Sequence, residues 1–352
     1  MNKNKLGDGQ FIVGIVTSKG NHSALTGNFK LFKDISNKLE EKDGTTIVFT
    51  PADIKDNILT CGYVLNKKND RWIPADFVGL PKVVYNRIPY RKDENSEQFQ
   101  AFSAWCEHNK IPFFNCSFFK KWDLYTAFYK EPKLKPYLPF TQLLKSRKQL
   151  EQALDQFSSL YLKPNNGSKG NGIFVLSKLN DKTIQIKGHD SLYGSSFFQN
   201  IWERKVNPLL QNKDYIFQQK TEIVKHKDRT YDFRVLAHQL KNNWIVSGIG
   251  IRQSKLNGIT THVLKGGNLM VADAIITQKD IEQIHTLTVL CGQTLEKAFG
   301  MRCIKEFSMD VGKTTNGQFY LFDVNSKPMK FDEPEIYENG LNNLRDIFCE
   351  FL

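Results

Sequence analysis

Two short runs near the C-terminus restrict the fold more than any other part of the chain. Phe307-Ser308-Met309-Asp310-Val311 is followed by the polar turn Thr314-Thr315-Asn316-Gly317 and then by Phe319-Tyr320-Leu321-Phe322-Asp323-Val324-Asn325. These read as two strands joined by a Gly-containing turn, hence an antiparallel hairpin. Strand side chains alternate faces, so Asp323 and Asn325 point the same way, and pairing brings Asp310 opposite them. Three hard oxygen ligands on one face suit Mg²⁺ held between protein and phosphates. The alternative is a solvated polar face on an ordinary hairpin.

A chain of 352 residues is long enough for two or three lobes, each with its own core. Its 40% apolar and 12% aromatic content excludes a disordered polymer. No apolar run reaches the ~18 residues of a membrane span, and residues 1–9 lack the pattern of a signal peptide. The six cysteines show no C-x-x-C spacing, which suits reduced thiols in the cytoplasm. The net charge of +12 is uneven: residues 1–118 carry +3, residues 119–260 carry +13 and residues 261–352 carry −4. A basic middle before an acidic end fits an anion held by one segment and a metal by the next; a generic basic surface is the competing explanation.

Residues 1–118 alternate strands (11–16, 46–49, 61–65, 71–73, 82–85, 112–115) with helices (about 29–42 and 99–109), predicting a small open α/β domain. Arg87 and Arg91 lie beside a turn at its edge, facing a ligand or serving as surface charge. Beyond Phe119 the pattern predicts helices near 121–131, 143–157, 279–299 and 341–351, with strand-rich stretches around 215–253 and at the acid hairpin.

Lys163-Pro164-Asn165-Asn166-Gly167-Ser168-Lys169-Gly170-Asn171-Gly172 lies between two β runs. Its glycines allow positive φ and close backbone approach, so the loop N–H groups can converge on an anion. Ile173-Phe174 stand where a Walker loop requires Lys-Ser/Thr, and a strand follows instead of a helix, so neither a Walker loop nor a dinucleotide fingerprint fits. A β-hairpin over phosphates, with Lys163 reaching in, is one reading; an ordinary polar hairpin is the other. Tyr231-Asp232-Phe233-Arg234 places Asp232 and Arg234 on one strand face, and the run from Trp244 to Arg252 reads as its antiparallel partner. Two guanidiniums near one strand end suit a phosphoryl group; a surface Asp–Arg pair is the alternative.

In order, Lys121, Lys163 with its glycine hairpin, the 215–220 strand, Asp232-Phe233-Arg234, Arg252, Gly266-Gly267 and Asp310…Asp323-Val324-Asn325 resemble an ATP-grasp domain. Within that superfamily the chain most resembles the YheC/YheD endospore coat-associated family. The resemblance covers about 119–352. It implies an ATP-grasp fold of two α+β lobes, a glycine-hairpin lobe at about 140–214 and a metal-binding lobe at about 215–352, preceded by the small open α/β domain. It further implies ATP with Mg²⁺ as cofactors, Mn²⁺ being an alternative metal. Lys121 and Lys163 would contact the α- and β-phosphates, and Gly167, Ser168, Gly170 and Gly172 would lie over the triphosphate. Gln218 and Gln219 would sit near the adenine and Glu222 near the ribose. Arg234 and Arg252 would stabilise the transferred phosphoryl group, and Asp310, Asp323 and Asn325 would hold the metal. The chain departs from the family pattern at two positions: Asp323 replaces the usual Glu, and His262 stands where Asn is common.

The activity this implies is an ATP-dependent carboxylate–amine or carboxylate–thiol ligase working through an acyl-phosphate, in the cytoplasm or associated with the spore coat. Its partners would be ATP, a carboxylate, an amine and spore coat proteins. A catalytically inactive nucleotide-binding or structural coat component is the alternative. Nucleic acid is not expected, because the chain shows no recognised nucleic-acid module.

Overall fold

A computed structural model describes residues 4–6, 11–20, 23–167, 170–188, 192–261, 266–270, 275–300 and 304–352. It is a mixed α+β structure built on three sheets.

The first sheet has eight strands. Its path runs Asn4–Leu6, Arg71–Gly79, Ile58–Asn66, Gly44–Phe49, Phe11–Val16, Val83–Asn86 and Phe113–Phe114, with Ile54–Lys55 paired at the side. The Phe11–Val16 strand is parallel to both its neighbours and apolar throughout, as a strand covered on both faces should be. On the other flank Ile58–Asn66 and Arg71–Gly79 form an antiparallel hairpin, and the edge strand Asn4–Leu6 runs parallel to Arg71–Gly79. Helix Phe29–Glu40 buries Leu31, Phe32, Ile35 and Leu39 against this sheet, and the Asn28 side chain caps its start.

The second sheet has six antiparallel strands in the order Leu192–Phe197, Thr183–Lys187, Phe174–Lys178, Ser159–Pro164, Tyr215–Gln219 and Thr141–Leu143. The helix expected from residue 143 begins instead at Arg147, capped by Ser146, and residues 141–143 extend the sheet edge.

The third sheet runs Asn268–Met270, Asn243–Gln253, Arg229–Leu240, Glu306–Lys313 and Phe319–Asn325, with Lys225–His226 at the side. Helix Gln278–Phe299 packs on one face, started by a reciprocal Thr277–Asp280 capping box. Helix Pro334–Cys349 packs on the other. This last helix starts seven residues earlier than the apolar pattern predicts. Pro334 occupies its first turn, where a missing N–H costs nothing, and Ile336 is its first buried side chain. Gly340 lets it approach the sheet, since a Cβ there would stand 2.9 Å from Leu236 Cδ2. Its far end, Leu341, Leu344, Ile347 and Phe348, joins the core of the first sheet beside Phe11, Val13, Ile15, Phe32 and Tyr85.

Candidate active site

The acid hairpin forms as its sequence predicts, with one addition. Asp310 pairs across the ladder with Asp323, and Ser308 with Asn325. Pairing slips between Asp310 and Val311, so Phe322 is an extra, bulged residue. Phe319, Leu321 and Val324 are therefore all buried while Asp323 and Asn325 face away from the core. Gly312 accommodates the Phe322 ring, because a Cβ at Gly312 would meet Phe322 Cζ at 2.6 Å. On the other side of Asp310 the paired residue is Arg234. One row across three strands thus reads Arg234, Asp310, Asp323.

Each carboxylate of that row meets a cation. Arg234 Nη1 donates to Asp310 Oδ1 at 2.9 Å. Lys121 Nζ, from the first turn of helix Lys121–Tyr129, donates to Asp323 Oδ2 at 2.5 Å. The start of that helix is tied to the glycine hairpin, since the Lys121 N–H donates to the Asn165 carbonyl at 3.0 Å and the Trp122 N–H donates to Asn165 Oδ1 at 2.9 Å. Asn165 was not singled out from the sequence, because it meets the Lys121 helix only through tertiary approach.

Lys163 lies on the second sheet, buried, with Nζ donating to Gln218 Oε1 at 2.6 Å. Gln218 Nε2 in turn donates to Thr141 Oγ1 at 3.1 Å. Burial and the Lys121 charge lower the Lys163 pKa to about 8, against the opposing pull of Asp323, Asp310 and Asp232. Asp323 shows the mirror image: burial pushes it up, but Lys121, Lys163 and the Val324 N–H outweigh that and hold it below its ordinary value. Asp232, opposite Arg252 in the ladder, accepts from Thr261 Oγ1 at 2.5 Å; burial and Asp310 raise its pKa to about 7 despite Arg234 and Arg252. Charges from the second sheet, the Lys121 helix and the third sheet therefore share one electrostatic environment.

Arg252 is also buried, and Glu333, unnoticed in the sequence, pairs with it through both oxygens. Of the other sequence candidates, Gly170 and Gly172 adopt φ of 69° and 73°, which favours glycine. The Gly167 N–H closes a turn onto the Pro164 carbonyl at 3.0 Å. The Gln219 N–H is taken by the Phe140 carbonyl at 2.8 Å, and Glu222 is exposed on the connection to the third sheet. Ser168 and His262 lie outside the described residues. Arg87 and Arg91 are not free surface charges. Arg87 donates to Tyr85 Oη and the Pro328 carbonyl, and Arg91 donates to the Phe119 carbonyl at 2.8 Å, so both sit at the junction with the third sheet.

Among the described residues no group of three or more His, Cys, Asp or Glu side chains is arranged to hold a metal. The candidate set is smaller: two carboxylates facing each other across a ladder, with an amide two residues on. These are hard oxygen donors suited to Mg²⁺, and the cations now paired with both carboxylates show that this face takes positive charge. The residues present fit the ion.

A family model described as YheC/D like ATP-grasp matches residues 110–350. The endospore coat-associated protein YheD of Bacillus subtilis (strain 168) is 28% identical over 346 residues, covering 93% of this chain and 75% of YheD. Among solved structures, D-alanyl-alanine synthetase A of Vibrio cholerae aligns over 97% of both chains with a TM-score of 0.56 at 13% identity. D-cycloserine synthetase DcsG aligns over 97% of this chain and 100% of its own, with a TM-score of 0.57 at 11% identity. At such identities the structural likeness is one of fold.

Proposed function

The chain belongs to the YheC/D-like ATP-grasp family, and from that premise we propose that it binds ATP with Mg²⁺ between its second and third sheets and uses it to activate a carboxylate for attack by an amine or thiol. One observation carries this reading: Lys121 pairs with Asp323, and Lys163, from a separate part of the fold, feels the charge of that same carboxylate together with that of Asp310. That is the charge pattern a metal-chelated triphosphate needs.

On this reading residues 1–118 form a preceding domain and 119–352 the ATP-grasp domain. Lys121 and Lys163 exchange their contacts with Asp323 and Gln218 for the α- and β-phosphates. Gly167, Gly170 and Gly172 lie over the triphosphate. Gln218, Gln219 and Glu222 lie toward the nucleoside. Asp310, Asp323 and Asn325 would hold Mg²⁺, which when bound supplies charge neutralisation for the triphosphate. Arg234 and Arg252 steady the charge on the transferred phosphoryl group and on the acyl-phosphate. Catalysis is then positioning and electrostatics, with no protein nucleophile. The name of the relative YheD motivates a place in the endospore coat.

Calorimetry with ATP and Mg²⁺, followed by a substrate-library screen for phosphate release, tests the proposal beside Lys163→Ala/Asp310→Ala. Binding and release should both disappear in the double variant; release at the parental rate would refute the site. A second reading, a coat component that binds nucleotide without turnover, is favoured by the existing Lys121–Asp323 and Arg234–Asp310 pairs. It predicts binding with no phosphate release for any substrate in the library.

A further inference from the structure

Arg252 is held by more than its strand. Its Nη1 donates to Glu333 Oε1, and its Nη2 donates to Glu333 Oε2 at 2.9 Å. Glu333 stands immediately before helix Pro334–Cys349 and makes no side-chain cap bond. The carboxylate goes to the arginine instead. The Phe331 ring lies 5.6 Å from the Arg252 guanidinium and 5.6 Å from that of Arg234, so it neighbours both. Gly250 opens the space for the pair, because a Cβ there would stand 2.7 Å from Arg252 Nη1 and would also collide with Glu333 Oε1.

A guanidinium has five N–H donors. Two of those on Arg252 face Glu333, and Nη1 also lies 3.4 Å from the Ile251 carbonyl. The Nε–H and the outer N–H of Nη2 form the side edge of the fork, and no acceptor meets them among the described residues. That edge matches two oxygens of a phosphoryl or carboxylate group.

We propose that Glu333 is a positioning residue: by locking the end of the Arg252 fork, it leaves the side edge set for an oxyanion in the cleft. The proposal rests on the ATP-grasp reading, since that reading supplies the anion. Glu333 touches no reacting atom and acts through Arg252.

The test uses the full chain and three variants. Glu333→Gln removes the charge while keeping the shape. Gly250→Ala displaces the pair without altering either partner. Gly248→Ala, on the same strand, crowds Ile336 at 2.6 Å instead and serves as the packing control. Guanidinium ¹⁵N–¹H spectra without ligand, assigned with Arg252→Lys, report rotation about the fork. Calorimetry gives Kd for Mg·ADP with and without aluminium fluoride, a mimic of the transferred phosphoryl group. The parent and Gly248→Ala should show separate, slowly exchanging Nη signals for Arg252. In Glu333→Gln and Gly250→Ala these should merge, with Kd for Mg·ADP within about twofold of the parent and the affinity gained from aluminium fluoride cut by about tenfold or more. Unchanged Arg252 signals in Glu333→Gln, or merged signals with the full aluminium fluoride gain, would overturn the proposal. A parent that binds no Mg·ADP would overturn the ATP-grasp reading instead, and the spectra would still decide whether Glu333 holds the arginine.

Discussion

The third sheet meets its two neighbours in opposite ways. With the first sheet it shares apolar core, because helix Pro334–Cys349 buries Leu341, Leu344, Ile347 and Phe348 among side chains of that sheet. A buried polar knot reinforces the contact: Tyr85 Oη donates to Glu306 Oε2 at 2.6 Å, and Asn115 Nδ2 donates to the same oxygen at 3.1 Å. The second sheet instead closes a core of its own, drawn from residues 140–217. Its contacts with the rest include the polar ones at Asn165, Lys163 and Lys187. The fused pair of sheets holds Arg234, Asp310, Asp323 and Arg252 in register, while the sheet carrying Lys163 and the glycine hairpin packs on a core of its own.

The largest expected effect lies at the apolar join. Phe348 is fully buried there, and Phe348→Ala should lose about 3–5 kcal/mol. In hydrogen exchange, the first and third sheets should lose protection together while the second keeps its own. Separate unfolding of the first sheet would break the comparison.

Lys163 gives a second, pH-dependent test at the polar join. Its folded pKa of about 8 lies below the 10.5 of an ordinary lysine, so folding disfavours its charged form. That penalty, of order ~3 kcal/mol at most, is present in full below about pH 8 and fades as pH rises toward 10.5. Stability from denaturant titration should therefore climb across this window in the parent relative to Lys163→Met. The variant should be the more stable protein at pH 7 and should lose nucleotide affinity. Equal slopes in the two proteins would show that Lys163 is better solvated than its position implies.

The smallest effect sharpens the contrast. Lys187 Nζ donates to the Asn257 carbonyl at 2.5 Å between the second sheet and a loop of the third. Lys187→Ala should change unfolding free energy by no more than about 0.5 kcal/mol. A loss of several times that would mean the second sheet is anchored more firmly than its polar contacts suggest.

Much of the strand geometry around the candidate site was legible because strand parity and hairpin pairing are local properties. The Asp310–Asp323 hairpin, the Asp232–Arg252 pairing and the glycine hairpin all follow from alternation and turn residues. Side-chain partners set by tertiary approach were not. Glu333 reaches Arg252 across 81 positions and Lys121 reaches Asp323 across 202, and nothing local marks either carboxylate as a partner. The strands at 61–65 and 71–73 were visible as strands, but an α/β rhythm does not reveal that they form an antiparallel hairpin on the flank of the first sheet. The early start of the last helix was hidden because Pro334 and Glu335 precede its first buried residue.

The bulge at Phe322 divides its strand into two counting frames. Up to Leu321 the odd-numbered positions belong to the interior; from Asp323 onward they belong to the cleft. The turn before Phe319 can therefore change length through evolution or engineering without rotating the acid pair. A single residue inserted between Phe322 and Val324 has no such freedom: it would drive either a carboxylate into the apolar layer or Val324 out of it.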